Sequence, residues 1–446
     1  MVMFKELSGG TGHALLAASP LPELAAHGYA EDEYAVGGIV GGTTEAGSAP
    51  PAEYVTRMLV RRPRRDEDFN GTVVVEWLNV SSGNDAAPEY SYVAAEVVRG
   101  GYAWVGLSAQ YTGVEGGDGS VGVDTGPRGL AAKNPERYGA LHHPGDAYCY
   151  DLFGQLGRVL RRPDGQTESS LHPLGGLTVR RLLAVGESQS AMALTTYVNR
   201  FADEHGAYDG YLIHSRALAG LPLGEVGRPI DISGAYRGEP EKIRSVQAPV
   251  FVVQTETDVL TDFRYYLARQ PDTDRLRVWE VAGTSHADLV QIGPFEEMLG
   301  CPDPVNRGQQ QFVLRAALAH LDRWAAGESA PPTAAPLEIT GESGPQRPSL
   351  VTDAVGNARG GVRTPCVEVP TEVLSGVVPE PVSRICLLFG STTALPGEQL
   401  ADLYRSRADY LDRYAGAVEQ GIADGFLLAG DREALLADAR PEHLPY

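Results

Sequence analysis

The segment Leu182–Met192 constrains the fold more than any other part of this 446-residue chain. It reads Leu-Leu-Ala-Val-Gly-Glu-Ser-Gln-Ser-Ala-Met, an apolar run followed by a turn around Ser188 and then by a helical pattern. This order is typical of a strand–turn–helix unit that exposes a serine hydroxyl above a sheet. Gly186 leaves room across the tight turn, and Ser190 is a small residue where a second glycine is usual. The segment therefore predicts a nucleophile elbow with Ser188 as the nucleophile.

Two later segments supply what a serine nucleophile needs, a base and a group that orients the base. The run 248–255 reads as a strand, and Asp258 follows its end. The run 276–281 reads as another strand, and His286 stands in the Gly-containing loop after it. Serine, acid and histidine in this chain order are typical of hydrolases built on such an elbow. We expect His286 to be the base and Asp258 the acid, with Glu256 as the alternative acid.

The same chemistry needs backbone N–H donors that stabilise the oxyanion of the transition state. One donor comes from the residue after the nucleophile, here Gln189, and another from the loop after an earlier strand. The run 71–77 reads as that strand, so the second predicted donor is the N–H of Asn79 or of Val80. A turn-capping role for Asn79 is an equally good interpretation of the same residues.

With these residues on the page, the chain resembles the α/β-hydrolase superfamily. More narrowly, it resembles the bacterial group known as alpha/beta hydrolase domain-containing proteins, in which Gly-x-Ser-Gln-Ser replaces the ordinary Gly-x-Ser-x-Gly. The resemblance covers nearly the whole chain and implies serine esterase chemistry on an eight-stranded, mostly parallel sheet. It implies little about the substrate. The segments that carry it are Val75–Val80, Gly186–Ser190, Thr255–Asp258, Trp279–His286 and Asp353–Gly361.

Composition and charge exclude several other classes of protein. With 43% hydrophobic and 21% charged residues, the chain can form the large core of a globular enzyme. Its net charge of −21 argues against partners that need clustered cations, namely nucleic acid and anionic membrane surfaces. Only three of its 37 cationic residues are Lys, and none follows a Gly directly or stands three residues after a Ser. A Walker A loop and a Ser-x-x-Lys mechanism are thereby excluded.

The sequence also lacks motifs that would indicate a metal site, a cofactor site or export. The chain has four scattered cysteines: Cys149, Cys301, Cys366 and Cys386. Without a Cys-x-x-Cys pair they do not indicate zinc, and a disulfide among the last three stays open. The adjacent pair His142-His143 points apart on most backbones, so we predict no metal and no cofactor. No secretory signal or run of roughly 18 apolar residues is present, so the expected location is the cytoplasm.

The alternation of strand and helix patterns predicts an α/β fold, a mostly parallel doubly wound sheet with helices on both faces. Two opening antiparallel strands, Glu33–Val36 and Tyr54–Val60, are joined by the Gly-rich stretch 41–49. His214 ends a further strand, and because it precedes the acid we expect it to be structural or to line the pocket.

We divide the chain into an irregular arm (1–30), a hydrolase core (31–330) and a C-terminal extension (337–446). The extension is expected to pack on the core as helical decoration rather than to form a lid. An apolar stripe that runs from Leu400 to Val418 predicts a single long helix within it.

The stretch 109–145 is a long Gly-rich connection, and loops of this length in compact domains are usually functional or mobile. Because it leaves the carboxyl end of a predicted parallel strand, we expect it to overhang the pocket. Its candidate substrate contacts are Gln110, Tyr111, Tyr138 and His142. A surface excursion with no ligand role explains the same residues equally well.

These observations predict a serine hydrolase that cleaves a small-molecule carboxylic ester through an acyl-enzyme. An acyltransferase, a thioesterase or a lactonase would use the same triad and differ in the substrate or the acceptor. A non-catalytic binding protein on this fold is less favoured, because such proteins usually lose a member of the triad and this chain has all three. The sequence does not fix the oligomeric state.

Overall fold

The computed structural model of the protein describes residues 2–17, 21–120, 126–161, 171–341, 348–379 and 381–446. Residues 18–20 of the predicted arm and 121–125 of the predicted loop lie outside the described residues. The same holds for residues 342–347 and 380 of the predicted extension.

Within the described residues, nine strands form the central sheet, in the order β1-β2-β3-β5-β4-β6-β7-β8-β9. Strands β1 to β3 and the β3–β5 pair are antiparallel, and the other neighbouring pairs are parallel. The predicted α/β fold is therefore confirmed, with nine strands where the resemblance implies eight. In chain order the strands are β1 (Met3–Glu6), β2 (Tyr29–Thr44), β3 (Gly47–Pro63), β4 (Thr72–Trp77), β5 (Ala103–Leu107), β6 (Arg181–Glu187), β7 (Gly210–His214), β8 (Val250–Thr255) and β9 (Leu276–Val281).

Helices cover both faces of this sheet. They are α1 (Pro88–Arg99), α2 (Tyr111–Glu115), α3 (Leu130–Lys133), α4 (Pro135–Tyr138), α5 (Cys149–Leu160), α6 (Gln189–Arg200), α7 (Ala202–His205), α8 (Gly234–Arg237), α9 (Glu256–Leu260), α10 (Leu289–Ile292), α11 (Gln310–Ala325), α12 (Pro365–Glu368), α13 (Arg384–Phe389), α14 (Gly397–Leu403), α15 (Arg407–Ala423) and α16 (Arg432–Ala437). Two short strand pairs, β10 (Ile339–Thr340) with β11 (Ser349–Leu350) and β12 (Glu372–Ser375) with β13 (Ser391–Ala394), lie in the C-terminal part.

Alternate residues of the central strands build two apolar layers. Val73 and Val75 of β4 belong to the cluster that includes residues of α5 and α6. Val74 belongs to the cluster on the other face, with residues of α1 and α11. A strand that is covered on both faces reads as a continuous apolar run, which is why β4 has no polar alternation. The layers hold the carboxyl ends of β6, β8 and β9 at one edge.

The opening strands are longer than the sequence predicts. Their antiparallel pairing is confirmed, but β2 and β3 continue until Thr44 lies opposite Gly47. The predicted connection 41–49 is therefore wrong as a loop and shortens to a tight turn. Residues of this Gly-rich stretch pair with each other across the hairpin. A register shift of the β-bulge type between Val40 and Gly42 interrupts the regular pairing.

Two further predictions of local structure are wrong. The arm is not irregular throughout, because β1 pairs with β2 at the sheet edge and buries Phe4 in the core. The long helix predicted from Leu400 to Val418 is two helices, α14 and α15, separated near Tyr404. The hydroxyl of Ser406 accepts the N–H of Asp409 and starts the second helix, which is the ordinary action of an N-cap serine.

Residues of the predicted extension join the core. Leu400, Tyr414 and Val418 belong to the same apolar cluster as Trp279 of β9. A disulfide joins Cys301 to Cys386 of α13. No helix in the described ranges has the length and the hydrophobicity that a membrane crossing requires.

Candidate active site

Ser188 stands at the turn between β6 and α6 with a strained backbone. Its φ of 62° and ψ of −118° are unusual for a residue with a side chain. Its N–H donates to the carbonyl of His214 at 2.9 Å, which fixes the turn against β7. A Cβ on Gly186 would lie 2.9 Å from the Cβ of Ser190, so the turn requires glycine there. The local structure is the strained strand-to-helix turn that the sequence predicts.

The structure brings Ser188, His286 and Asp258 into one hydrogen-bonded row. The Nε2 atom of His286 lies 2.7 Å from the Oγ of Ser188. Its Nδ1 atom lies 2.7 Å from the Oδ1 of Asp258. All three residues are buried. The geometry allows His286 to take a proton from the serine while Asp258 orients the ring.

Asp258 is held as a carboxylate by several donors. Its Oδ2 accepts the hydroxyls of Ser215 and Thr255, each at 2.7 Å, and the N–H of Thr255 at 2.8 Å. Burial raises the pKa of Asp258, but His286 and these hydrogen bonds lower it by more, so the pKa lies below its ordinary value. Asp258 therefore stays ionised at neutral pH.

Glu256 and Thr257, the two residues before Asp258, fasten the loop that carries His286. Glu256 accepts the N–H of Gly283 at 2.6 Å and of Gly376 at 2.8 Å, and the structure does not bring it to the ring of His286. Burial raises the pKa of Glu256 to about 7. The hydroxyl of Thr257 accepts the N–H of His286 at 3.2 Å and donates to the carbonyl of Gly376.

A second carboxyl group, that of Glu187, faces the triad from the end of β6. Its Oε1 lies 3.7 Å from the Nε2 of His286. Burial raises the pKa of Glu187 well above its ordinary value, and the neighbouring Glu89, Asp258 and Glu76 raise it further. Burial and these neighbours therefore disfavour a second negative charge beside His286.

The predicted oxyanion donors lie together at the start of α6 and in the loop after β4. The N–H of Gln189 opens α6, where no intrahelical acceptor exists for it. The N–H of Asn79 is engaged, because it donates to the carbonyl of Ala86 at 2.9 Å. The N–H of Val80 donates to the side-chain Oε1 of Gln189 at 3.2 Å. The side chain of Gln189 thus ties the elbow to the loop.

The four predicted pocket residues do not lie together in the structure but form two groups. Gln110 is buried and accepts the side-chain amide of Gln189 and the indole N–H of Trp77. The backbone N–H of Tyr111 donates to a carboxylate oxygen of Asp146 at 2.7 Å. Gln110 thus lies beside Gln189 of the elbow, and Tyr111 is partly buried next to it.

Tyr138 and His142 are not brought to the triad. Tyr138 is fully buried in a small separate core and donates to Glu33 at 2.9 Å. His142 is exposed, lies 3.2 Å from Glu115, and pairs through its backbone with Val55. Within the described parts of the stretch 109–145, His142 pairs with Val55 of the β2–β3 hairpin, whereas Ser120 donates its N–H to the carbonyl of Ser81 at 2.7 Å, in the loop after β4.

Three contacts of the site lie outside the sequence predictions. Ser215, directly after β7, hydrogen-bonds Asp258 and has a positive φ of 59°. The ring of Phe263 lies 4.3 Å from the ring of His286. Gly376 belongs to the C-terminal part of the chain. The position of Ser215 at the end of a strand beside the elbow was the available signal, since strand ends meet at one edge of a parallel sheet.

His214 is buried and structural. Its Nδ1 lies 2.9 Å from Glu89, and its ring packs against Tyr92. In the described ranges, no group of three or more His, Cys, Asp or Glu side chains has an arrangement that could hold a metal ion.

Comparison with known families and structures gives a match at the level of the family. A family model described as "Alpha/beta hydrolase domain" matches residues 4–437. Comparison with curated proteins gives no significant match. Among solved structures, the chain is similar to an esterase from Rhizomucor miehei, at 14% identity and a TM-score of 0.34, over 69% of this chain and 86% of that one.

Two other structural likenesses are of the same order. Est1E from Butyrivibrio proteoclasticus, solved with ferulic acid, has 9% identity and a TM-score of 0.32, over 60% of this chain and 96% of that one. Acetyl xylan esterase 1 from a Thermoanaerobacterium species has 10% identity and a TM-score of 0.30, over 63% and 80%. At these TM-scores the likenesses carry no argument about substrate.

Proposed function

This chain belongs to the alpha/beta hydrolase domain family, and from that premise we propose that it hydrolyses a carboxylic ester through an acyl-enzyme on Ser188. One observation carries the proposal. A continuous path of hydrogen bonds runs from the Oγ of Ser188 through the ring of His286 to Asp258, with 2.7 Å at each step. The strained elbow at Ser188 supports the same role, because strain of this kind persists where a side chain must be held in a set direction.

The first half of the reaction forms the acyl-enzyme. His286 takes the proton of Ser188 at Nε2 while the serine Oγ attacks the ester carbonyl carbon. Asp258 accepts the Nδ1–H, which keeps the ring in the productive tautomer and stabilises the imidazolium. The proton on Nε2 then passes to the departing alcohol. In the second half, His286 activates a water molecule that releases the acid and restores Ser188.

The oxyanion is the other charge that the site must stabilise. The N–H of Gln189 is the first donor, since its place at the start of α6 leaves it without a helical acceptor. The loop after β4 supplies the second donor. There the N–H of Val80 is the candidate, and it becomes available when the side chain of Gln189 releases it. In serine hydrolases, one such donor lowers the activation barrier by roughly 2.7–4 kcal/mol.

Family membership supports a hydrolase, and the ester as substrate class is our proposal. The predicted cytoplasmic location is a separate proposal. The Cys301–Cys386 disulfide weighs against it, because disulfides persist mainly in oxidising compartments.

The test is the mass of the intact protein after exposure to a small fluorophosphonate. We expect a single adduct on the parent and none on Ser188→Ala, because the reagent phosphonylates an activated serine. A panel of p-nitrophenyl esters should show activity that falls about 10⁶-fold in the same variant, as in other serine hydrolases that lose the nucleophile. Ser190→Ala is the matched control, because the Oγ of Ser190 is buried without a protein hydrogen-bond partner. An unlabelled, folded parent protein would contradict the proposal.

A further inference from the structure

Three arginines line one cavity without a carboxylate partner. Arg237, Arg264 and Arg384 face a cavity of about 660 Å³. In the part of the chain that the structure describes, none of the three forms an ion pair. Arg237 donates to the hydroxyl of Ser233, and Arg264 donates to the carbonyl of Tyr236. The guanidinium of Arg384 lies over the ring of Tyr236, 5.4 Å from its centroid. This cavity is therefore a cationic recess in a chain with a net charge of −21.

The recess adjoins a second cavity that approaches His286. The two cavities share Leu260 and Arg384, and the second has a volume of about 300 Å³. Phe263 lines that smaller cavity, and its ring lies 4.3 Å from the ring of His286. Leu388 lines it as well, and its carbonyl accepts the N–H of the residue after His286 at 3.0 Å. The walls of the smaller cavity therefore contact the segment that carries His286.

The backbone of Arg264 is strained in a way that links it to the reacting residues. Among the described residues, those other than glycine with a positive φ are Ser188, Ser215 and Arg264, at 62°, 59° and 48°. The first carries the nucleophile and the second holds Asp258. Glycine would adopt the conformation of Arg264 at no steric cost, whereas the arginine supplies a guanidinium that donates to the carbonyl of Tyr236 at the wall of the cavity.

The chemistry of the walls defines the ligand. A guanidinium presents a planar fork of donors that fits a carboxylate in a bidentate way. Asp262 lines both cavities, but the three arginines outnumber it. The smaller cavity is otherwise walled by apolar residues that include Val377, Val378 and Leu387. The pair of cavities therefore suits a molecule with an apolar body and an anionic end.

We propose that the substrate is an ester with a free carboxylate, such as a monoester of an aliphatic dicarboxylic acid. The carboxylate binds among Arg237, Arg264 and Arg384 while the ester carbonyl lies at Ser188. This inference rests on the proposed function and adds the substrate class to it. The acidic surface opposes anions at long range, but salt screens that repulsion beyond about 8–10 Å, whereas the arginines act at contact distance.

The test compares two esters of equal chain length, mono-p-nitrophenyl adipate and neutral p-nitrophenyl hexanoate. We expect the parent to have the higher kcat/KM for the adipate. Arg384→Gln should lower the adipate-to-hexanoate ratio about tenfold through KM, because a charge-assisted hydrogen bond is lost. Arg264→Gly should lower the ratio as much without lowering Tm, since glycine relieves the strain. The control is Arg65→Gln, a surface arginine that pairs with Glu67 and Asp68 near the amino end of β4.

A binding measurement separates this inference from the proposed function. Calorimetry on Ser188→Ala with the same two p-nitrophenyl esters needs no turnover, and we expect the adipate monoester to bind more tightly than the neutral hexanoate ester and to lose that advantage when Arg384→Gln is added. Inorganic phosphate, titrated in parallel, distinguishes a carboxylate site from a general anion site. If the parent hydrolyses neither ester but adipate still binds selectively, the proposed function fails and the site stands. Equal ratios and equal affinities in the parent, Arg384→Gln and Arg65→Gln would overturn the inference.

Discussion

Two clusters of charged residues in this molecule are both buried, but they differ in their backbone conformation and in whether a cavity lies nearby. One is the row of Ser188, His286 and Asp258. The other surrounds Arg57 of β3, which is fully buried and forms ion pairs with Asp85 at 2.7 Å and with Glu33 at 3.3 Å. Both clusters combine charges with hydrogen bonds in the interior, so burial alone does not tell which of them reacts.

The Arg57 cluster is closed. Each guanidinium nitrogen of Arg57 donates to a protein acceptor, the Nε to Ser108 and the other two to Ala14, Glu33 and Asp85. Burial lowers the pKa of Arg57, but Asp85 and Glu33 raise it by more, so the charge is retained. Its backbone belongs to a regular strand.

The row of Ser188, His286 and Asp258 differs from the Arg57 cluster in its backbone and its surroundings. Ser188 and Ser215, which hydrogen-bonds Asp258, both have positive φ, and Phe263, whose ring lies beside His286, lines a cavity. Buried ion pairs perturb pKa values in structural networks as well as in active sites. Backbone strain and a nearby cavity therefore distinguish the cluster that we propose to be catalytic better than burial or pKa shifts do.

Among variants that keep Ser188, the largest effect should follow from Asp258→Asn. The amide keeps the shape of the carboxylate but stabilises the wrong tautomer of His286, so we expect kcat to fall about 10⁴-fold. Steady-state kinetics on a p-nitrophenyl ester checks this, with Tm as evidence that the variant folds. Glu256→Gln is the matched control and should retain most of the activity. If Glu256→Gln lost more activity than Asp258→Asn, the alternative acid would replace the one we assign.

The sequence predicts that Ser188, Asp258 and His286 lie together because each follows the end of a strand whose apolar run is local and continuous. In a parallel sheet these ends meet at one edge, so chain order is enough to bring Ser188, Asp258 and His286 together. Contacts made by distant segments leave no such local pattern. Gly376 reaches Glu256 from the C-terminal part, and Cys301 and Cys386 pair across 85 residues.

The stretch 109–145 shows the opposite limit of sequence-based prediction. Its position after β5 predicts that it overhangs the pocket, but only part of it lies near the loop after β4, where Ser120 donates its N–H to the carbonyl of Ser81. His142 pairs with Val55, and the hydroxyl of Tyr138 reaches Glu33. A sequence without its fold does not show which exposed strand edge will take up a long connection.

The second prediction tests the closed cluster by Arg57→Met. Removal of the guanidinium leaves Asp85 and Glu33 buried without their partner, which costs about 3–5 kcal/mol of unfolding free energy. Urea unfolding followed by fluorescence measures the loss, and the folded fraction should keep a kcat close to that of the parent. Arg65→Met removes an exposed pair and should cost at most about 1 kcal/mol. A large loss of kcat with unchanged stability would put Arg57 in the active site and break the comparison.

The third prediction concerns Ser215→Ala. The loss of one of the hydrogen bonds to Asp258 should lower kcat about fivefold, which corresponds to about 1 kcal/mol. The same change should raise the pKa of Asp258, because Ser215 is one of the groups that lower it. A more basic Asp258 stabilises the protonated ring of His286 more strongly, and a protonated ring cannot accept the proton of Ser188. The acidic limb of the pH–rate profile should therefore move to higher pH, a shift that a purely structural serine would not produce. Ser190→Ala serves again as the control, and equal profiles for the two variants would contradict the positioning role.

The fourth prediction sharpens the comparison within a single turn, where Glu256 and Asp258 stand two residues apart with pKa shifts of opposite sign. The pKa of Glu256 rises from 4.5 to about 7 through burial, so the folded state binds its proton more tightly than the unfolded state does. The stability that it contributes is fully present below about pH 4.5 and is lost as the pH rises through about 7. Asp258, whose pKa is lowered, contributes stability above its unfolded pKa and loses it as the pH falls.

Glu256→Gln should therefore remove part of the loss of stability that the parent shows between pH 5 and pH 8. The carboxyl oxygens of Glu256 accept the N–H groups of Gly283 and Gly376, and the NH2 group of Gln can accept neither. One of these hydrogen bonds is therefore lost, which costs about 1–3 kcal/mol at every pH. The measurement is how the difference in unfolding free energy between parent and variant changes with pH. The constant cost does not affect this change, and the contributions of the other carboxyl groups cancel in the difference. The exposed Glu328→Gln is the control and should give a flat difference. If the parent gained stability over the variant as the pH rose, Glu256 would be an ionised carboxylate held by Gly283 and Gly376, and burial would not control its charge.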